Sequence, residues 1–408
     1  MGKSFPINGR KIFIFAAMVY KVIGLMSGSS LDGLDIAYVH LQERAGTGKQ
    51  AARSWDFELI HTACYPYPES WKQRLADAPA LSALEYQLLH VEYGHYLGEQ
   101  VSRFIEAFGL EYKVQLIVSH GHTAFHWPAR RMTSQLGDGA AIAARTRINV
   151  VSDLRAMDLA LGGQGAPIVP VGEALLLPGY ELFLNLGGIA NVSKHEGGGF
   201  LAFDVCPANR VLNALAELER MAYDDGGAIA ASGRVDHPLL QQLNALPYYN
   251  MPYPKSLANE FGTGVVLPLI RRVMEERGLG VADALRTYVE HIALQVARAV
   301  VAASVPSGDG AVPSGDGAGT GDGAGAGAAR RMLVTGGGAH NVFLVERLRS
   351  RLGFEVVVPD KALVDYKEAL IMALIGVLRW REENNVMASV TGASRDSIGG
   401  AVWIGQEA

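Results

Sequence analysis

The run Val22-Ile23-Gly24-Leu25-Met26-Ser27-Gly28-Ser29-Ser30-Leu31-Asp32-Gly33-Leu34-Asp35 constrains this 408-residue chain more than any other segment. It joins an apolar strand to a loop of glycines, hydroxyls and carboxylates, and Ile36 to Leu41 reads as a second strand. The loop therefore links two strands and opens no helix. That excludes Walker A geometry, whose Gly-Lys-Ser/Thr ending is also missing. Loop glycines let backbone N–H groups approach an anion, Ser29 and Ser30 can donate hydrogen bonds, and Asp32 can hold Mg²⁺ directly or through water. A hairpin turn whose Asp and Ser side chains cap their own backbone fits the same spacing, so spacing alone leaves both readings open.

The chain is too long for one ordinary core and suits two domains. Its 49% apolar and 19% charged residues describe a folded soluble protein. A net charge of −5, a pI near 6.1 and the lack of any basic run with interleaved aromatics argue against nucleic-acid binding. Cys64 and Cys206 lack metal-ligand spacing and fit a reducing, cytoplasmic compartment. Ile12 to Tyr20 follows Lys3, Arg10 and Lys11 and faintly imitates a signal peptide, but it runs into the next strand without a spacer or cleavage site. No stretch reaches the length of a membrane span. Residues 1–17 read as a loose extension.

Along the chain, Leu84, Leu88, Val91, Tyr96, Val101 and Ile105 recur at helical spacing and predict a long amphipathic helix from Leu81 to Phe108. Val114 to Val118 reads as a buried strand ending in Ser119-His120-Gly121-His122-Thr123, residues 138–146 as a helix, Ile148 to Val151 as a strand and Gly162 to Pro167 as loop. Leu182 to Leu186, Gly187-Gly188 and Ala190 to Ser193 form a second strand-loop-strand unit that echoes the first. Strands alternating with helices predict an α/β architecture. Ser304 to Ala329, with recurring Gly-Asp-Gly, lacks the large apolar residues of a calcium-binding β-roll and reads as a disordered surface insert.

Four further segments bear chemistry. Asp153 follows a strand and precedes the glycine loop, where α/β proteins place reacting groups, though a helix cap or a pair with Arg155 fits as well. Gly336-Gly337-Gly338 between the strand Arg331 to Thr335 and a helix from His340 to Arg351 lets a flat ligand lie on the backbone, as does any tight strand-helix turn. His120-Gly121-His122 imitates the start of a barrel hydrolase's metal site, but the other histidines fall mostly in helices or loops. Asp365 to Leu370 opens an apolar helix reaching about Trp380; Glu368 is either a site residue or a first-turn acid favoured by the helix dipole.

Gly24 to Asp35 also resembles the N-terminal signature of the anhydro-N-acetylmuramic acid kinases, members of the actin-like ATPase clan; Ser29 stands where Thr is typical. The similarity continues through Asp153, Arg155, Asp158 and Gly162 to Pro167, through His120-Gly121, Thr123, His126 and Pro128, through Gly336 to Asn341, and through Val390 to Ser394 and Gly399 to Val402. His122 stands where Gln is common, and in Phe203 to Asn209 the family's Thr, Gly and Gly become Val205, Cys206 and Ala208. Cys206 has no His partner nearby and reads as a packed interior residue.

The resemblance implies a two-lobed actin-like fold with an interdomain cleft: domain I from residues 18–149 plus 381–408, domain II from 150–380. It implies ATP and Mg²⁺, a small amino-sugar substrate, and leaves a homodimer open. ATP and its phosphates would meet Gly28, Ser29, Ser30, Leu31, Asp32, Gly33, Leu34, Asp35, Gly187, Gly188, Gly336, Gly337 and Gly338, with Asp32 holding the metal. Asp153 would be the catalytic base, with Glu368 supporting it, and His120, Thr123, Arg155 and Asn191 would face the sugar. The implied reaction opens the 1,6-anhydro bridge of 1,6-anhydro-N-acetylmuramic acid and phosphorylates O6 in cell-wall recycling. A kinase for another sugar and a non-catalytic ATP-binding switch are the alternatives; a pure switch needs no sugar-side base.

Overall fold

The computed structural model describes residues 3–7, 10–14, 18–28, 31–44, 53–196, 199–252, 255–258, 260–304 and 330–405. Ser29, Ser30 and residues 305–329 of the expected insert lie outside the described residues. The expected loose extension contains an antiparallel pair, β1 (Lys3–Ile7) with β2 (Arg10–Ile14). Two compact units make up the chain: unit 1 is Met1–Pro178 with Tyr366–Ala408, and unit 2 is Gly179–Asp365.

Unit 1 opens with the expected hairpin and extends it to a three-stranded meander, β3 (Val19–Ser27), β4 (Gly33–Glu43) and β5 (Trp55–Pro66). Next, β6 (Leu116–Ser119) runs parallel to β3. A side hairpin, β7 (His122–Trp127) with β8 (Met132–Leu136), precedes β9 (Val150–Ser152), which runs parallel to β6.

Unit 2 repeats the plan. A meander of β10 (Leu182–Leu186), β11 (Ile189–Glu196) and β12 (Gly199–Pro207) is followed by β13 (Arg331–Thr335) parallel to β10 and β14 (Glu355–Val357) parallel to β13. Counted within each unit's main sheet, the strand order is third, second, first, fourth, fifth; in unit 1 a last strand, β15 (Ala401–Trp403), closes the edge against β9. This doubled α/β plan is the actin-like architecture that the resemblance implied.

The long helix of unit 1 spans Ala83–Ala107, with a capping box between Ser82 and Glu85. Its buried face, however, is Leu89, Tyr93, Leu97, Val101 and Phe104, while Leu84 and Leu88 are exposed. Two glycines turn it that way: a Cβ at Gly94 would sit 2.6 Å from the Asp138 carbonyl oxygen, and one at Gly98 would sit 2.8 Å from Cβ of Arg145. The helix Gly139–Thr146 therefore packs against that glycine stripe.

Residues 150–178 and 366–380, expected in domain II, group with unit 1. The cause is sheet pairing and packing: β9 is the fifth strand of the first sheet, and the helix Lys361–Trp380 lies against β3. That helix also starts four residues earlier than expected, because the Asp360 side chain accepts from the Leu363 N–H. Glu368 thus sits inside the helix, and a first-turn dipole role for it falls away. Among the described residues no helix is long and apolar enough to cross a membrane.

Candidate active site

In unit 1 the parallel strands β3, β6 and β9 end on one edge of the sheet, and the chain continues there into residues 28–32, 120–123 and 153–158. Loops at the carboxyl ends of parallel strands are where open α/β sheets hold ligands. Gly28, Leu31, Asp32, His120, Thr123, Asp153 and Arg155 are brought together there.

The first loop is shorter than the predicted Gly28 to Asp35. Gly33, Leu34 and Asp35 belong to β4, and the Leu34 side chain is buried in the core, so it is unavailable to a ligand. Leu31 has a left-handed backbone, φ 59°, and its side chain packs on the same core, which leaves only its backbone to face an anion. Asp32 is exposed.

His120 is buried, with Nδ1 2.8 Å from the Gly121 carbonyl oxygen and Nε2 2.9 Å from Nε of Arg155. Nδ1 therefore carries the proton and Nε2 accepts from the guanidinium. Burial and Arg155 push the His120 pKa down to about 3, so the ring is neutral at pH 7. A nitrogen facing an arginine cation is unsuited to a metal ion. His122, buried and with its pKa lowered to about 4, lies 3.4 Å from the Ser27 hydroxyl. Among the described residues no three His, Cys, Asp or Glu side chains are grouped to hold a metal.

Arg155 also donates from Nη1 to the Gly165 carbonyl. Burial lowers its pKa to about 10, opposed by Glu368 and Asp158, and it stays charged. Glu368 is half-buried, and desolvation raises its pKa against the pull of Lys367 and Arg155. Thr123 is exposed on β7 beside a bulge, its hydroxyl 3.4 Å from Nε2 of Gln135.

Asp153 follows β9 directly, with φ 55°. A non-glycine residue in this region is strained, and Asp is among the side chains that tolerate it best. Its residue surface is accessible, yet enough protein surrounds the carboxyl to raise the pKa by desolvation, which His90 partly offsets.

Asp158 was matched by the resemblance but given no role. It is 1% exposed; one carboxylate oxygen accepts from the Gly165 N–H at 2.7 Å and the other from the Thr391 hydroxyl at 2.6 Å. Gln164 N–H donates to the Thr391 carbonyl, and Ser394 N–H to that of Leu161, so the segment near the C-terminus fastens the 161–167 loop. Thr391→Val keeps the shape and removes a hydrogen bond to a buried charge. We expect a loss of about 2 kcal/mol in urea unfolding, with faster amide exchange at Gly165. Unchanged stability and exchange would rule out this fastening.

In unit 2, β10 and β13 also end side by side, which brings Gly187-Gly188 next to Gly336-Gly337-Gly338. A Cβ at Gly336, φ 81°, would sit 2.4 Å from Oδ1 of Asn185, and one at Gly338 would sit 2.7 Å from Cβ of Leu186. Asn209 holds the first turn, its N–H donating to the Gly187 carbonyl and its side chain to that of Leu186, 2.9 Å away, and it packs on the second, where a Cβ at Gly338 would lie 2.9 Å from its Oδ1. The signal for Asn209 was the Phe203 to Asn209 motif; Asn185 had none beyond its place before the glycines. Asn191, expected on the sugar side, lies on β11 opposite Asn185 at a bulge, in the unit that does not contain His120, Thr123 and Arg155. The helix expected from His340 starts at Val342, capped by Asn341, after a tight turn through Gly337–His340. Cys206 and Ala208 are fully buried, and burial pushes the Cys206 thiol pKa up, away from any nucleophilic role.

A profile of the anhydro-N-acetylmuramic acid kinases matches residues 20–319 and 322–405. The chain belongs to this family. An anhydro-N-acetylmuramic acid kinase of Gloeobacter violaceus is 34% identical over 396 residues, covering 91% of this chain and 96% of its own. One from Vibrio cholerae serotype O1 is 32% identical over 400 residues, covering 93% and 97%. As a family member along nearly its whole length, the chain carries the matched motifs at the strand ends of both sheets, and the profile passes over only residues 320 and 321 of the insert.

Proposed function

We propose that the chain is an ATP-dependent kinase that opens the 1,6-anhydro bridge of 1,6-anhydro-N-acetylmuramic acid and phosphorylates O6, yielding N-acetylmuramic acid 6-phosphate. Family membership supports the substrate class. The observation that carries the chemistry is Asp153, a strained carboxylate at a parallel strand's end whose pKa is raised toward that of a general base.

In this reading Asp153 takes a proton from water as the water oxygen bonds to C1. The C1–O6 bond breaks, and the freed O6 bonds to the γ-phosphorus as ADP leaves. Arg155, held by His120 and Gly165, and the half-buried Glu368 would orient the sugar. Gly187-Gly188 and Gly336 to Gly338 would admit the nucleotide against the backbone, and the Gly28 to Asp32 loop its phosphates. Mg²⁺ needs only one or two protein carboxylates beside phosphate oxygens and water, a requirement the exposed Asp32 fits. Bound there, it would supply charge neutralisation to the phosphates. A sequence with only two cysteines and the use of ATP fit our assignment to the cytoplasm.

Because Cys206 and Ala208 sit in the core, they give no support to a different sugar. The deciding measurement is ADP release by purified protein with ATP-Mg²⁺ and amino sugars with or without the anhydro bridge. We expect release with the bridged sugar alone; equal release with a free 6-hydroxyl sugar would refute the bridge-opening step.

A further inference from the structure

A hydrogen-bonded chain of side chains meets the end of β3 at Ser27. The Tyr67 hydroxyl lies 2.8 Å from Oγ of Ser27 and 2.5 Å from the Tyr93 hydroxyl, and Oγ of Ser27 lies 3.4 Å from Nδ1 of His122. Tyr67, Tyr93, Ser27 and His122 are all buried. A phenol has one proton to give, so if Tyr67 donates to Ser27, Tyr93 must donate to Tyr67. Ser27 is then free to donate to the neutral His122, and the chain runs in one direction, each bond polarising the next.

Tyr67 makes a second contact with the same loop. Its backbone N–H donates to the Asp32 carbonyl at 3.3 Å. Ser27 is the last residue before the loop and Asp32 its last member, so one residue holds both ends. The position of Tyr67 is itself fixed: its ring contacts those of Tyr93 and Tyr96, and it follows directly on β5.

We infer that Tyr67 is a positioning residue that ties Ser27, at the end of β3, to Asp32, just before β4, and so sets the spacing of the two strand ends that flank the phosphate loop. This rests on reading Gly28 to Asp32 as the phosphate cradle. The side-chain half of the clamp is removable without touching the backbone half.

The test compares wild type, Tyr67→Phe, Tyr93→Phe and Ser27→Ala in the full chain, by ATP-Mg²⁺ calorimetry, thermal unfolding and steady-state kinetics. Tyr67→Phe and Tyr93→Phe both delete the tyrosine pair's bond, so both lose similar thermal stability, but only the first breaks the bond between Ser27 and the residue that holds Asp32. We expect ATP to bind about tenfold more weakly to Tyr67→Phe and to Ser27→Ala, the equivalent of one hydrogen bond's worth of preorganisation. The KM for the sugar stays unchanged, and Tyr93→Phe stays within about twofold of wild type for ATP. If Tyr67→Phe fails to fold, Ser27→Ala carries the same comparison. ATP affinity unchanged in Tyr67→Phe or Ser27→Ala, or equally weakened in Tyr93→Phe, overturns the clamp. Wild type that does not bind ATP overturns the phosphate-cradle reading, and the clamp with it.

Discussion

Asp153→Asn is expected to lower turnover by about 10²–10⁴, the usual contribution of a positioned general base, while ATP binding stays at its wild-type strength. Asn is the informative replacement because it is nearly isosteric and also tolerates the left-handed backbone at φ 55°, so the strand end and the neighbouring Arg155 keep their places. A bulkier residue would confuse chemistry with strain. The pH profile gives a second reading. The Asp153 pKa is raised by desolvation, so the active, ionised form is lost at a higher pH than for an ordinary aspartate, and the acidic limb of kcat lies correspondingly higher. That limb should vanish in the variant. Near-normal turnover in Asp153→Asn would remove Asp153 from the mechanism.

Gly24→Ala should have the largest effect on the fold. A Cβ there would lie 1.9 Å from the Ala369 carbonyl oxygen, which is backbone and cannot rotate aside. The helix Lys361–Trp380 is held equally close further along, where a Cβ at Gly376 would meet Cγ2 of Val118 at 2.0 Å. The added methyl group must therefore lever the helix off β3. Overpacking of this kind costs about 3 kcal/mol, a fall in Tm on the order of 10 °C. Because Ala369 adjoins Glu368, kcat should fall as well, with ATP affinity least affected. A variant with wild-type Tm and kcat would show that the helix has slack the packing does not suggest.

Much of this was legible because glycine marks places where backbone must turn sharply or come close. The pairs of loops at residues 28–32 and 187–188, and the triplet at 336–338, were found that way, and each lies at the carboxyl end of a parallel strand. Tertiary partners were not legible. Asp158 and Thr391 are 233 residues apart, and neither sequence neighbourhood signals a buried bond between them. Tyr67 follows Pro66 in an unremarkable segment, and its relation to the loop arises only when β5 pairs with β4. On the helix Ala83–Ala107 apolar spacing alone fits two neighbouring stripes, and the close approach at Gly94 and Gly98 selects the one that is buried. The unit boundaries escaped for a similar reason: β9 reads as a strand, but nothing local says which sheet receives it.

The way unit 1 is assembled from segments on both sides of unit 2 sets an order on biosynthesis. Unit 2 is one continuous stretch, Gly179–Asp365, and can be completed while the ribosome is still translating. Unit 1 at that stage lacks the helix that covers β3, the Thr391 segment that fastens the 161–167 loop, and the strand that closes its sheet at β9. The usual sequence of an N-terminal domain maturing first is thereby inverted. The edge of β9 waits unpaired until Ala401–Trp403 has been made, so a chain terminated before that strand would leave the ribosome with a finished second unit and an exposed, incomplete first one.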